Sequence, residues 1–436
     1  MRIEKLHIKN FRGFKDLTIT FSSSNLSLFI GINGAGKTSI LDSIASLLSL
    51  FTLKLSKKDS RGIEFPLDED DINVNASSMC NTITLKDTDE SISWQYMQYL
   101  SYMDKGKEKN TFNELNEYVR NFHEKLSSAS HINLPIIIYY QTNRILANSD
   151  RKKTSTNPKR YISNQIYAYQ DALSKKGNDF HQFVNWFRLE EDWENENKLE
   201  KGLQFESESL KVVREVIQLF FSKLSSNEFS NLRVRRTKKE DKYGSFNAQH
   251  SSELIISSQN QDLKIEQLSD GYKTLLLLVS DIAHRLAIAN PIGEPIQGRG
   301  IVLIDEIEQH LHPKWQRQVI PALLYTFPNV QFIITSHSPQ ILSSVDKEEV
   351  FILDDFDIVE ETPATKGRDS NSILYELQEV EERPKEFKEK LKRLYYLIDN
   401  EDIEEAKKIL LELTEKWGEN DSEIVRINMH LNFATD

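Results

Sequence analysis

The sequence predicts an α/β fold: a mixed sheet around buried parallel strands, a helical insertion and a C-terminal helical tail. Three observations predict it. Short aliphatic runs recur at residues 26–30, 135–140, 301–304, 330–334 and 350–353. Helix-patterned segments separate them, and such alternation argues for parallel strands buried on both faces. A glycine-rich loop, residues 31–36, stands between the first run and a helical pattern of Ile40, Leu41, Ile44, Ala45 and Leu48. Strand, glycine loop and helix follow in the order that a phosphate-binding loop requires.

The elements follow from local patterns. Residues 5–9 alternate polar and apolar side chains, as do Leu17, Ile19 and Phe21, so both read as half-buried strands with a break at Phe11-Arg-Gly-Phe14. Residues 56–133 are polar and uneven, with a strand near 91–94 and a helix near 112–126. Residues 160–225 are mainly helical. There Phe180, Phe183, Val184, Trp186 and Phe187 read as core rather than as a platform for stacking bases, and Val212 to Phe220 form an amphipathic helix. Residues 289–300 hold five Pro and Gly residues, a loop. From Arg383 the chain is charged and helical, with Ile403, Ala406, Leu410, Leu413 and Trp417 on one face, the pattern of a single helical hairpin. The expected divisions are an N-terminal lobe (1–144), a mainly helical insertion (145–248), a C-terminal lobe (249–362) and a helical tail (363–436).

Composition narrows the class. The 436 residues are 39% hydrophobic and 28% charged, with a net charge of -12, which disfavours a general nucleic-acid coat. Basic runs at 151–153 with 159–160, and at Arg233, Arg235, Arg236, Lys238 and Lys239, leave DNA contact open. A single cysteine, Cys80, excludes a disulfide framework. With no signal peptide and no apolar run of membrane length, the expected location is cytoplasmic, with no membrane partner.

The chemistry sits in four motifs. In the first, Asn33, Gly34, Ala35 and Gly36 present backbone N–H groups to phosphate oxygens at a helix N-terminus, followed by Lys37, Thr38 and Ser39. Lys37 is expected to reach the β and γ phosphates of ATP, and Thr38 to ligate Mg²⁺. In the second, Asp305 closes an aliphatic strand, where a metal-linked carboxylate belongs, and Glu306 is placed to polarise an attacking water. In the third, His337 follows the strand at 330–334 and is expected to donate to the γ-phosphate. In the fourth, Ser269, Gly271 and Lys273 open a helix, and a helix N-terminus is an anion site. Its anion is expected to be the γ-phosphate held by a second copy, so a homodimer or a higher even-numbered oligomer is implied. Gln141, after the strand at 135–140, is a candidate link between the Mg²⁺ site and the helical insertion. His310 and His312 read as a subunit-contact loop rather than as metal ligands.

These motifs together resemble an ABC-type P-loop ATPase head of the RecF, SMC, Rad50 and OLD group. The opening at residues 3–14, ending Lys-Asn-Phe-Arg-Gly-Phe, is similar to that group's, and the resemblance implies that Arg12 lies near the nucleotide. The segments at 139–144, 179–188, 268–273, 305–313 and 367–372 look like the PtuA-like ATPases of Septu-type and related retron antiphage systems. That resemblance implies an HNH nuclease partner (PtuB-like) and, in retrons, a reverse transcriptase with its RNA–DNA. It also implies a switch that controls the nuclease rather than a nuclease. Asp355 and Asp357 mimic the acidic pair of a Toprim nuclease but read as a turn. The competing expectations are a RecF-like clamp on DNA ends or gaps and a scaffold locked by ATP.

Overall fold

The computed structural model describes residues 1–56, 65–87, 90–101, 110–128, 131–142, 165–174, 180–224, 229–239, 249–258, 261–360, 362–369, 372–373, 383–400 and 402–435. They form two compact units, Met1–Arg368 and Asp369–Asp436.

The first unit opens with strands β1 (Arg2–Phe11) and β2 (Phe14–Thr20). Strand β3 (Leu26–Gly31) runs into the glycine loop and helix α1 (Lys37–Ser56). Then come β4 (Ser78–Asp87), β5 (Glu90–Tyr99), α2 (Asn113–Ser128) and β6 (Ile136–Tyr140). Helices α3 (Phe180–Lys201) and α4 (Glu208–Leu224) precede β7 (Phe229–Lys239), β8 (Gln249–Ser258) and β9 (Gln261–Lys264). Helix α5 (Asp270–Ala289), β10 (Gly300–Ile304), α6 (Pro313–Thr326), β11 (Val330–Thr335), β12 (Val350–Asp354) and β13 (Asp357–Ile358) complete it.

The aliphatic runs build one six-stranded sheet in the order β13-β12-β3-β11-β10-β6. It is parallel except for β13. Every residue of β6, β10 and β11 is buried, which is why these strands read as unbroken apolar runs. The two alternating strands go elsewhere, into a separate antiparallel sheet in the order β2-β1-β4-β5. Strand β4 has no counterpart in the sequence reading. It alternates, but Asn81 occupies one of its buried positions and blurs the apolar period. Strands β7, β8 and β9 form a third sheet. Asp355 and Asp357 lie at the turn between β12 and β13.

Helix α1 is long and apolar enough to cross a membrane, contrary to the sequence reading, but it is mostly buried inside the unit. Phe183, Trp186 and Phe187 are buried, with Trp186 stacked on His284 at 3.8 Å between ring centroids. The basic strand β7 meets counter-charges from β9 and α3. Arg233 and Arg235 share Asp262, at 2.6 and 2.8 Å, and Arg236 pairs with Glu191 and Asp192. The runs at 151–153 and 159–160, and the side chains of Phe180, Lys238 and Lys239, lie outside what is described.

The second unit corrects the expected hairpin. It holds three helices, Lys385–Asp399, Ile403–Trp417 and Ser422–Thr435. Ile424, Ile427 and Leu431 of the last helix join Leu394, Ile398, Ala406, Leu410 and Leu413 in one core. Arg383 lies over the Trp417 ring at 3.8 Å and pairs with Asp421 at 2.8 Å.

Candidate functional site

Parallel strands in register end on one edge of the sheet, and that edge collects the predicted residues. Ile304 of β10 lies beside Ile334 of β11 and Tyr140 of β6, so the segments that follow are neighbours. The glycine loop leaves β3 at the same edge. This is where open α/β sheets bind ligands.

The loop between β3 and α1 holds its shape through glycine. Gly36 has φ of 102°, a left-handed conformation, and a Cβ there would sit 2.5 Å from the Phe14 ring. Lys37 Nζ donates to the carbonyls of Gly31 and Ile32, both at 2.9 Å. Burial lowers the Lys37 pKa, and the carboxylates of Glu306, Asp305 and Glu308 work against that shift. Asn33 and Gly34 are exposed, and Ala35 is buried.

Asp305, 2% exposed, is the hub. It accepts from three hydroxyls: Thr38 at 3.0 Å, Thr142 at 2.8 Å and Thr335 at 2.6 Å. Thr335 Oγ1 also accepts the Glu306 amide at 2.8 Å. Glu306 has φ of 46°, a strained conformation for a residue with a side chain, held by that bond and the turn after it. Its Oε1 lies 3.8 Å from His337 Nε2. Burial lowers the His337 pKa, helped by the charge on Lys37 and opposed by the three carboxylates of residues 305, 306 and 308.

A cavity of about 310 Å³ adjoins this cluster, lined by Arg12, Thr38, Asp42, Tyr139, Gln141 and Asp305, with Phe65 and Thr142. Among the lining groups, the hydroxyl of Thr38, the Asp305 carboxylate and the Gln141 amide are oxygen donors of the kind that suits a hard cation such as Mg²⁺. Gln141 Nε2 donates to the Ser174 carbonyl at 3.3 Å. Arg12 is at the same cavity, but its guanidinium donates to Asp71 and Asp42, both at 2.8 Å, and to Ser39 Oγ at 3.1 Å.

Ser269 caps α5 by position only, since its hydroxyl bonds no amide of the helix, and it is exposed. Gly271 is buried. A Cβ there would meet the His310 carbonyl at 2.6 Å, so the start of α5 seats directly on the loop after β10. Tyr272 and Trp315 pack beside it, with ring centroids 4.1 Å apart and planes tilted by 58°. Lys273 pairs with Asp270 at 3.2 Å.

A family model described as "AAA domain, putative AbiEii toxin, Type IV TA system" matches residues 107–343. The chain belongs to this AAA domain family. A second AAA domain model matches residues 1–81. The chain is 28% identical to the Retron Ec83 probable ATPase of Escherichia coli, over 99% of this chain and 86% of that protein. It is 25% identical to the Septu protein PtuA of Bacillus thuringiensis, over 80% of this chain and 75% of the other. The sequence-based resemblance to PtuA-like ATPases is thereby met by relatives that extend over most of the chain. A solved SMC head domain from Thermotoga maritima aligns with 82% of this chain and 98% of its own, at 15% identity and a TM-score of 0.42.

The sequence reading missed several residues of this AAA-family site. Thr142 and Thr335 grip Asp305, Asp42 and Asp71 hold Arg12, and Glu308 accepts the His337 amide. Thr142 and Thr335 both stand at or just after the end of a buried strand, a position that could have flagged them.

Proposed function

We propose that the chain is a dimeric, ATP-hydrolysing switch of a retron or Septu-type antiphage system, acting in the cytoplasm on an associated HNH nuclease. The observation that carries the proposal is the convergence on Asp305. One carboxylate joins the phosphate-loop threonine to the segment bearing Glu306, and Glu306 faces His337.

In this reading the loop amides of residues 33–36 and Lys37 hold the β and γ phosphates, and Ser39 neighbours them. Thr38, Asp305 and Gln141 hold Mg²⁺, which neutralises charge on the phosphates when bound. Glu306 accepts a proton from the attacking water, and His337 donates to the γ-phosphate oxygen as charge builds there. Arg12 belongs to the same nucleotide pocket. Ser269, Gly271 and Lys273 complete the site of a second copy. The exposed, uncommitted Ser269 hydroxyl favours that reading, because a serine serving only its own helix would cap it. The site then lies between the lobes at 1–144 and 249–362, and the partners of the assembly are the nuclease and, in a retron, a reverse transcriptase with its RNA–DNA. Direct DNA contact through β7 is disfavoured, because Arg233, Arg235 and Arg236 are already paired with carboxylates.

Glu306→Gln tests the proposal. Turnover is expected to vanish while ATP drives the variant into a stable dimer on size-exclusion chromatography. A variant that turns over ATP normally, or stays monomeric when loaded, sinks it. The nuclease link is tested by co-expression with the neighbouring genes; purification of the ATPase free of any nuclease would count against it.

A further inference from the structure

Glu308 has no place in the reading above. It lies three residues beyond Asp305, in the turn after β10. Two consecutive turns fix its backbone: Gln309 N–H bonds the Glu306 carbonyl at 3.1 Å, and Leu311 N–H bonds the Glu308 carbonyl at 2.9 Å. The buried Ile307 side chain anchors the segment beneath. From there the Glu308 carboxylate turns back across the strand ends, and its Oε1 accepts the backbone amide of His337. Its Oε2 is buried and has no partner among the described residues.

A residue that served only to close a turn would gain nothing from a second carboxylate oxygen buried without a donor, which is a costly arrangement. The placement has another consequence. Glu306 and His337 are carried by different strands, and the imidazole works only if its distance from the water-activating carboxylate is kept. Thr335 pins Glu306 from the β11 side, through the amide bond of 2.8 Å. Glu308 makes the return connection, from the β10 side to the amide of His337. A third tie, Ser338 Oγ donating to Gln316 Oε1 at 2.7 Å, binds the next residue to α6.

We propose that Glu308 is a positioning residue for ATP hydrolysis: by gripping the His337 amide it sets the imidazole against the γ-phosphate from the segment that bears Glu306. The inference rests on the hydrolytic reading of the same site. The grip needs an acceptor at the end of a glutamate-length side chain. It does not need a charge. Glutamine supplies the acceptor and turns an amide toward the space of the partnerless oxygen. Aspartate keeps the charge but falls one methylene short.

The test is steady-state ATP hydrolysis by the full chain and its variants, with Glu306→Gln as the reference for lost chemistry. Glu308→Gln is expected within about threefold of wild type, and Glu308→Asp and Glu308→Ala at least about tenfold lower in kcat with KM unchanged. In a His337→Ala background, Glu308→Ala is expected to cost nothing further, because residues that act as a unit are non-additive. Thermal melts identify any variant that fails to fold; if the alanine variant does, the aspartate and glutamine variants decide. Wild-type kcat in Glu308→Asp, a glutamine variant as slow as the aspartate one, or a rise in KM alone overturns the positioning role. A multiplicative loss in the double variant does the same. Wild-type protein no faster than Glu306→Gln overturns this proposal together with the hydrolytic reading. A slow Glu306→Gln beside a fast Glu308→Asp overturns this proposal alone.

Discussion

Thr335→Val removes one hydroxyl and almost nothing else. That hydroxyl donates to Asp305 at 2.6 Å and accepts the Glu306 amide at 2.8 Å, and the residue is fully buried. Valine has the same outline, so no cavity opens and only the two hydrogen bonds are lost. A bond to a buried carboxylate contributes about 1.5–3 kcal/mol. The Glu306 amide is half-buried, and leaving it without its acceptor costs about 1 kcal/mol more. The total, about 3 kcal/mol, is trimmed by whatever Thr38 and Thr142 recover by tightening on the carboxylate. Urea unfolding should therefore show a lower midpoint at unchanged slope. Turnover should suffer more than binding. The Thr335 hydroxyl holds the Glu306 amide, and a misplacement of about 1 Å costs about a hundredfold in rate. Lys37 and the glycine loop are untouched, so KM for ATP should hold. A variant with wild-type kcat and a midpoint shift equivalent to less than about 0.5 kcal/mol would refute the idea that Thr335 pins the Asp305 carboxylate and the Glu306 backbone.

Three further outcomes follow from the geometry. His284, fully enclosed against Trp186, has its pKa pushed down to about 3 by burial, with Asp281 pulling the other way and Arg285 adding to the shift. The unfolded chain takes up a proton near pH 6.5 that the folded chain refuses. Stability is therefore complete above 6.5 and drains on acidification toward 3, by up to about 1.4 kcal/mol per pH unit. His284→Phe should flatten urea midpoints measured between pH 6.5 and 4, and an unchanged slope would contradict this. Gly271→Ala drives a methyl into the His310 carbonyl, 2.6 Å away, and should cost about 1–3 kcal/mol in a thermal or urea melt; a neutral result would mean that the two loops are not in contact. Ser269→Arg should leave ATP affinity intact in a calorimetric titration while abolishing hydrolysis at any protein concentration. Normal turnover there would argue against a site shared by two copies.

What was legible in the sequence was local. The β3, glycine loop and α1 series is one continuous segment whose residue types report its conformation directly. Asp305, Glu306 and His337 stand at the ends of strands buried on both faces, and such strands are visible as aliphatic runs. The contacts that hold those residues were not legible. Thr335 reaches Asp305 across 30 residues and Thr142 across 163, and neither hydroxyl carries a local pattern. Glu308 carried no reading of its own, because its bond to the His337 amide spans 29 residues. The antiparallel sheet was half seen, because Asn81 interrupts the apolar period of β4. The third helix of the tail was missed because only Ile424, Ile427 and Leu431 mark its inner face, over a single short helix. The basic stripe of β7 was visible as charge, but its neutralisation was not, since Asp262, Glu191 and Asp192 come from other elements.

Arg12 acts as a rivet through three plates. It sits at the β1–β2 turn with φ of 49°, and one guanidinium clamps Asp42 on α1 and Asp71 in the segment before β4. The antiparallel sheet is thereby fastened to the helix that begins at the phosphate loop. The two layers should melt in one calorimetric event, and any rotation of that helix as the triphosphate docks would be handed on to the outer sheet.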